Sequence, residues 1–257
     1  MTGLIPIFKR ELRAYFRSPV AYVVIAMFLL ITGYFYYNNL ALFSIISMQA
    51  IQNPSLAQEL NFTEMVLNSV FRNMGVIFLF LAPLLTMRLF SEEKRTGTIE
   101  LLLTWPVKDL GVALGKFGAA LGLVVVMLAL TGTYPALMSG LGQVELGAIF
   151  SGYLGIFLMS ASLIALGMWF SSLTENQIIA GTLTLVISLL LWVIGWAGTF
   201  IKHDLMRAVI SEIAIAGHLD NFAKGVIDTR DVIYYLSFTA FFIFLTLRSL
   251  ESRLRRV

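Results

Sequence analysis

The residues of this chain best able to do chemistry lie between 88 and 108, in the run Arg88-Leu-Phe-Ser-Glu-Glu-Lys-Arg-Thr-Gly-Thr-Ile-Glu-Leu-Leu-Leu-Thr-Trp-Pro-Val-Lys108. Glu92, Glu93 and Glu100 alternate with Arg88, Lys94 and Arg95, Gly97 interrupts the charged turn, and Trp105-Pro106 closes the segment. Ile99–Leu103 is an apolar run too short to cross a bilayer. A short helix with a charged entry and an apolar body fits a docking element for another protein. A solvated juxtamembrane face is the plainer alternative.

Catalytic patterns are missing. Gly111–Lys116 approaches a phosphate-binding loop and fails, because three residues instead of four separate the glycines and Phe117 stands where Ser or Thr must ligate magnesium. There is no H-E-x-x-H and no G-x-S-x-G. Cys is absent, which excludes disulfides and thiolate metal sites. His203 and His218 stand too far apart for a His-based metal pair to be expected. No metal and no cofactor is expected in this chain, and any ATP must be bound elsewhere.

The elements that position the charged segment are membrane helices. The chain has 257 residues, 58% hydrophobic and only 13% charged, against roughly 25% charged in soluble domains. Every hydrophilic stretch is too short to fold as a soluble domain. Six spans are expected at about 19–38, 68–88, 110–138, 145–171, 177–201 and 232–248. The first ends in Tyr34, Phe35, Tyr36 and Tyr37, a group suited to the headgroup belt. The loop at 40–60 is expected on the outer surface. The N-terminus reads as retained, because its apolar run is too long for a signal peptide and no small-residue cleavage site follows.

Residues 3–17 form an amphipathic helix by pattern. Leu4, Phe8, Leu12, Tyr15 and Phe16 fall on one side, and Lys9, Arg10, Arg13 and Arg17 on the other. Such a helix is expected to lie in the interface, with its apolar face in the acyl chains and its basic face toward anionic lipid. Ser18-Pro19 reads as the cap and first turn of the next helix. Gly111, Gly115, Gly118 and Gly122 make a small-residue seam for close helix packing, within the chain or between subunits. Arg72 is expected to snorkel or to line a path, and Glu175 to cap the turn Ser171–Asn176.

Basic residues set orientation. They occur in the N-terminal segment, in 88–116 and at the C-terminal end (Arg248, Arg253, Arg255, Arg256), and are missing from 38–67 and 139–145. Both termini are therefore expected in the cytoplasm. Residues 202–231 hold Lys202, Arg207, Lys224 and Arg230, yet must be external for the C-terminal cluster to stay inside; five acids offset them. Leu205–Ala216, stopped by Gly217, and Leu219–Val226, ended by Asp228, read as two helices too short to span, arranged as a re-entrant or interfacial hairpin.

The segments Phe8-Lys-Arg-Glu-Leu-Arg-Ala-Tyr-Phe-Arg-Ser-Pro19, Ser91-Glu-Glu-Lys-Arg-Thr-Gly-Thr-Ile-Glu-Leu-Leu-Leu103, Ser171–Gln177 and His218–Tyr235 together resemble ABC-2 type transporter permeases, and within them the gliding-motility GldF-like subfamily. The resemblance implies an all-α integral membrane protein forming a single ABC-2 type transmembrane domain over 1–257. It has six transmembrane helices, an N-terminal interfacial connecting helix (1–18), a cytoplasmic coupling-helix region (88–108) and a short external re-entrant hairpin (202–231) before helix six. It implies a permease subunit of an ATP-driven exporter in the bacterial cytoplasmic (inner) membrane, not itself an enzyme. ATP and magnesium would belong to a partner, a cytoplasmic ABC ATPase. The remaining partners implied are a second permease copy or related membrane subunit, and an auxiliary subunit with an extracytoplasmic domain; nucleic acid is not one. Glu92, Glu93, Arg95, Thr98 and Glu100 are the residues expected to meet the ATPase. Lys9, Arg10, Arg13 and Arg17 would hold the connecting helix at the lipid surface, and His218, Phe222, Gly225 and Asp228 would belong to the hairpin. The rival readings are a mechanotransmitting scaffold that moves no cargo and an intramembrane lipid-modifying enzyme. The latter needs convergent polar groups at membrane depth, which 117–144 and 178–201 lack.

Overall fold

The structure, a computed structural model, describes residues 4–52, 63–98, 109–138, 145–197 and 203–254, all in helices or short connections. In chain order the helices are α1 (Leu4–Arg17), α2 (Pro19–Gln52), a π-helical turn (Thr63–Asn68) leading into α3 (Ser69–Thr86), and α4 (Ser91–Arg95). There follow α5 (Asp109–Thr131), α6 (Thr133–Met138), α7 (Leu146–Leu173), α8 (Gln177–Ala197), α9 (Asp204–Ile213), α10 (Ile215–Ala223) and α11 (Thr229–Leu254). Six helical stretches, based on α2, α3, α5, α7, α8 and α11, are long and apolar enough to cross a membrane.

The centre of the bundle is α7. Its most apolar stretch is 72% buried and that of α3 67%, against 17% for α8 and 11% for α11, so the first two form the core and the last two the rim. Small residues let neighbours reach the α7 backbone: Gly152 receives the Phe71 ring, Gly155 receives Phe222 and Gly167 receives Thr86. In a bilayer, where lipid is as apolar as Leu, this close packing is what holds helices together.

Ser18 and Pro19 begin α2 as expected, with Ser18 Oγ accepting the Val20 N–H at 3.3 Å. The expected end near residue 38 is corrected. The helix runs on to Gln52 through 34 residues, about 51 Å at 1.5 Å per residue, so residues 40–52 of the expected surface loop are helical. Within α2, Tyr36 packs on a neighbour. It stacks on Tyr134 with ring centroids 5.4 Å apart and donates to Tyr134 O at 3.2 Å, while Tyr134 Oη donates to Leu29 O at 2.8 Å.

The sixth span is also longer than expected, starting at Thr229 and reaching Leu254. Asp231 does not clip it, because it is buried and hydrogen-bonded. The two short helices before it are present, with 10 and 9 residues, but the break falls at Ala214 and not at Gly217, which lies inside α10. Ala214 is extended (φ −70°, ψ 107°). The surrounding carbonyls are taken by α11, with Tyr234 Oη on Ile213 O and Tyr235 Oη on Ile215 O, both at 2.9 Å. The second helix stops at Ala223, before Gly225, which has φ +86° and lies against Ala148, where a Cβ would crowd the backbone.

The placement of α1 corrects a further expectation. The apolar residues Ile7, Phe8 and Leu12 of α1 lie on α5, in the glycine seam. A Cβ on Gly115 would stand 2.9 Å from Ile7, one on Gly118 3.4 Å from Phe8 and one on Gly122 3.2 Å from Leu12. Gly111, in the first turn of α5, is half-buried. Lys9, Arg10, Arg13 and Arg17 stay exposed. The seam therefore serves packing within the chain, with α1 as its partner.

Candidate coupling site

The charged segment leaves α3 through a tight turn and forms α4, five residues long. So short a helix cannot hold itself together; its neighbours hold it. Ser171, at the end of α7, accepts the N–H groups of Phe90 and Ser91 at 3.0 and 3.1 Å and donates to Met87 O at 3.2 Å. Lys94 is buried and donates to Ser172 O, which also accepts from Ser249 of α11 at 3.1 Å. The helix ends at Arg95, and Gly97 breaks the charged segment just beyond it, as the sequence suggested. Gly97 takes φ +69° with its N–H on Lys94 O at 3.2 Å, the left-handed stop that glycine adopts without steric cost.

A second anchor is electrostatic. Lys116, whose side chain is 2% exposed, points from α5 to Glu93 Oε1 at 2.9 Å and Glu11 Oε1 at 3.2 Å, with its ammonium 5.4 Å from the Phe90 ring centroid. Arg10 closes the group, 2.6 Å from Glu11 and 3.2 Å from Glu93. Two cations and two carboxylates thus tie α1, α4 and α5 together. Burial by itself would raise the Glu11 pKa, but Lys116 and Arg10 hold it below the usual carboxylate value. Arg10 is pushed up by Glu11 and Glu93 against the desolvation that opposes it. A buried cation so paired is costly to orphan.

The expected ATPase-contact residues therefore divide. Glu93 faces inward onto Lys116. Arg95 and Thr98 are exposed and Glu92 is half-buried, presenting a charged outer face. Thr98 Oγ1 lies 2.9 Å from Thr96 Oγ1. Glu100 lies outside the described residues, as do Trp105 and Pro106. At the next turn, Asn176 caps α8, with Oδ1 accepting Ile178 N–H at 2.9 Å.

At the opposite end, His218 is buried in a polar knot. Its Nδ1 lies 2.6 Å from Asp231 Oδ1 and its Nε2 3.1 Å from Glu212 O, and its ring stacks on Tyr234 at 3.8 Å. Asn221 donates to the second Asp231 oxygen at 2.8 Å. Phe222 is fully buried on α7, and Asp228 caps α11 through Arg230 N–H at 2.9 Å. Arg72 is committed to Asp220 at 3.0 Å, and Arg230 pairs with Glu212. His218, Phe222, Gly225 and Asp228 all fix this segment against α7 and α11. Among the described residues no group of acids and histidines could hold a metal.

Sequence reasoning missed Lys116, Glu11, Ser171 and Ser172 as anchors. The available signal was Lys116 itself, a cation about two helical turns inside an apolar span, which needs a carboxylate partner.

Six candidate spans, a buried core helix and a charged knob clamped at one end define a multi-pass helical membrane protein. A family model described as "ABC-2 family transporter protein" matches residues 5–252. The chain belongs to that family. No curated protein matches it by sequence.

Proposed function

We propose that this chain is the permease subunit of an ATP-driven exporter, working with a separate cytoplasmic ABC ATPase that docks on the outer face of α4. ABC-2 membership supports the class. The observation that carries the reading is the double anchoring of α4. Its inner side is fixed by Lys116, Ser171 and the Lys94–Ser172 contact, so a displacement of Glu92 and Arg95 reaches α1, α5, α7 and α11 together. Nucleotide closure of the ATPase would favour one arrangement of this knob over another, and rigid-body movement of the spans would follow.

In this reading the protein sits in the bacterial inner membrane with both termini and α4 in the cytoplasm, and α9–α10 on the outer side. An ATPase dimer presents two docking sites and one chain supplies one α4, so a second permease copy or related subunit completes the assembly. The GldF-like resemblance extends the proposal to an auxiliary subunit with an extracytoplasmic domain. A scaffold that transmits ATP-driven motion without moving cargo would use the same knob. The test is ATP turnover by the cognate ATPase in vesicles with and without this chain: turnover that responds to the permease, and to Arg95→Glu within it, supports the proposal, and turnover indifferent to both refutes it.

A further inference from the structure

A cavity of about 320 Å³ opens between α1, the first turns of α2 and the end of α3, within the ~300–1,000 Å³ range of small-ligand sites. Its walls are apolar: Tyr15, Ala21, Val24, Leu84, Leu85 and Leu123. The polar groups that reach it from α1 are already committed. Tyr15 Oη donates to Leu85 O at 2.9 Å, and Glu11 is held by Lys116 and Arg10. The interior is mainly apolar, with the Ser18 hydroxyl accepting from Val20 N–H at the start of α2, and suits an aliphatic chain.

The mouth is different. Arg88 and Glu92 stand on its rim. Ala14 lines the cavity and also the strip formed by Lys9, Arg10, Arg13 and Arg17 on the exposed side of α1. Arg88, Lys9, Arg13 and Arg17 have no carboxylate partner among the described residues. Among the described residues Glu92 has no ion-pair partner, so on the rim itself it balances Arg88, and the excess of positive charge lies on the adjoining strip of α1. Apolar walls with an arginine at the mouth and a cationic strip beside it match one class of molecule.

We propose that this cavity binds one acyl chain of an anionic glycerophospholipid, with the headgroup phosphate held by Arg88 and the basic face of α1. Arginine binds phosphate through paired N–H donors. The lipid would brace α1 against α2 and α3 beside α4. The inference needs only a membrane around the chain and stands apart from the ATPase reading.

The test uses the full chain in vesicles doped with a phosphatidylglycerol probe carrying a diazirine near the end of one acyl chain, beside a phosphatidylcholine probe with identical chains. Photolysis followed by residue-level peptide mapping should place phosphatidylglycerol adducts at the buried cavity residues Ala21, Val24 and Leu85. Ala14→Trp, at an exposed position on the mouth, should abolish them. Arg88→Gln should weaken phosphatidylglycerol labelling about tenfold, the worth of one charge-assisted hydrogen bond, and leave phosphatidylcholine labelling unchanged. Should Ala14→Trp fail to fold, Arg88→Gln alone decides. Adducts scattered over the outward faces of α2 and α8, or equal labelling by the two probes at the cavity, would overturn the proposal.

Discussion

Lys116 Nζ lies 2.9 Å from Glu93 Oε1, joining the first turns of a membrane span to a five-residue helix that no local interaction could stabilise. The same ammonium reaches Glu11 on α1, so one buried cation sets the positions of three elements.

Replacing that cation leaves Glu11 and Glu93 sharing Arg10 alone. Lys116→Met should destabilise the chain by about 1–3 kcal/mol, less than the ~3–5 kcal/mol of a fully orphaned buried charge because Arg10 still pairs with both carboxylates. Adding Glu93→Gln to Lys116→Met should recover part of the loss. Thermal unfolding of the detergent-solubilised variants measures both; an additive double variant would show that the contact carries no coupling.

Glu11 gives this network a pH dependence of known sign. Its folded pKa is lowered, so its stabilisation is fully present above the unfolded value of about 4.3 and is lost as pH falls through the folded value. The melting-temperature difference between the parent and Glu11→Gln should therefore hold near neutrality and shrink in acid. A difference that grew on acidification would contradict the geometry.

The glycine seam predicts a steric outcome. Gly115→Leu would drive a side chain into Ile7 and the Leu4 carbonyl, an overpacking cost of about 1–3 kcal/mol that frees α1. In this Cys-free chain, Phe8→Cys should react faster with a maleimide when Gly115→Leu is present. Gly147→Ala, which meets nothing within 4 Å, should leave the rate unchanged.

Much of this was legible in the sequence, for identifiable reasons. Span positions follow from hydropathy, and α4 from its charges and Gly97. The Ser18-Pro19 start of α2 follows from local capping chemistry. What was not legible depended on partners distant in sequence. Tyr36 of α2 stacks on Tyr134, about a hundred positions away, and the hairpin breaks at Ala214, where Tyr234 and Tyr235 take the neighbouring carbonyls. The apolar face of α1 was evident, but an amphipathic pattern cannot say whether lipid or a glycine seam covers it. For the same reason Glu93 looked like a surface charge until Lys116 was found beneath it.

Orientation is testable at the hairpin. Lys224 is exposed, and Lys224→Cys should react with an impermeant thiol reagent added to intact spheroplasts. Reaction only after the membrane is opened would place α9 and α10 on the cytoplasmic side and remove the orientation on which ATPase docking depends.

The most direct measurement is retention of the cognate ATPase by affinity-purified permease carrying both Glu92→Lys and Arg95→Glu. These side chains lie on the outer face of α4, away from Lys116, Ser171 and Ser172, so the fold should persist with unchanged thermal stability. The account predicts that the ATPase is lost from this variant and retained by a permease carrying Lys224→Glu on the opposite side. Full retention of the ATPase by the stable double variant would contradict it.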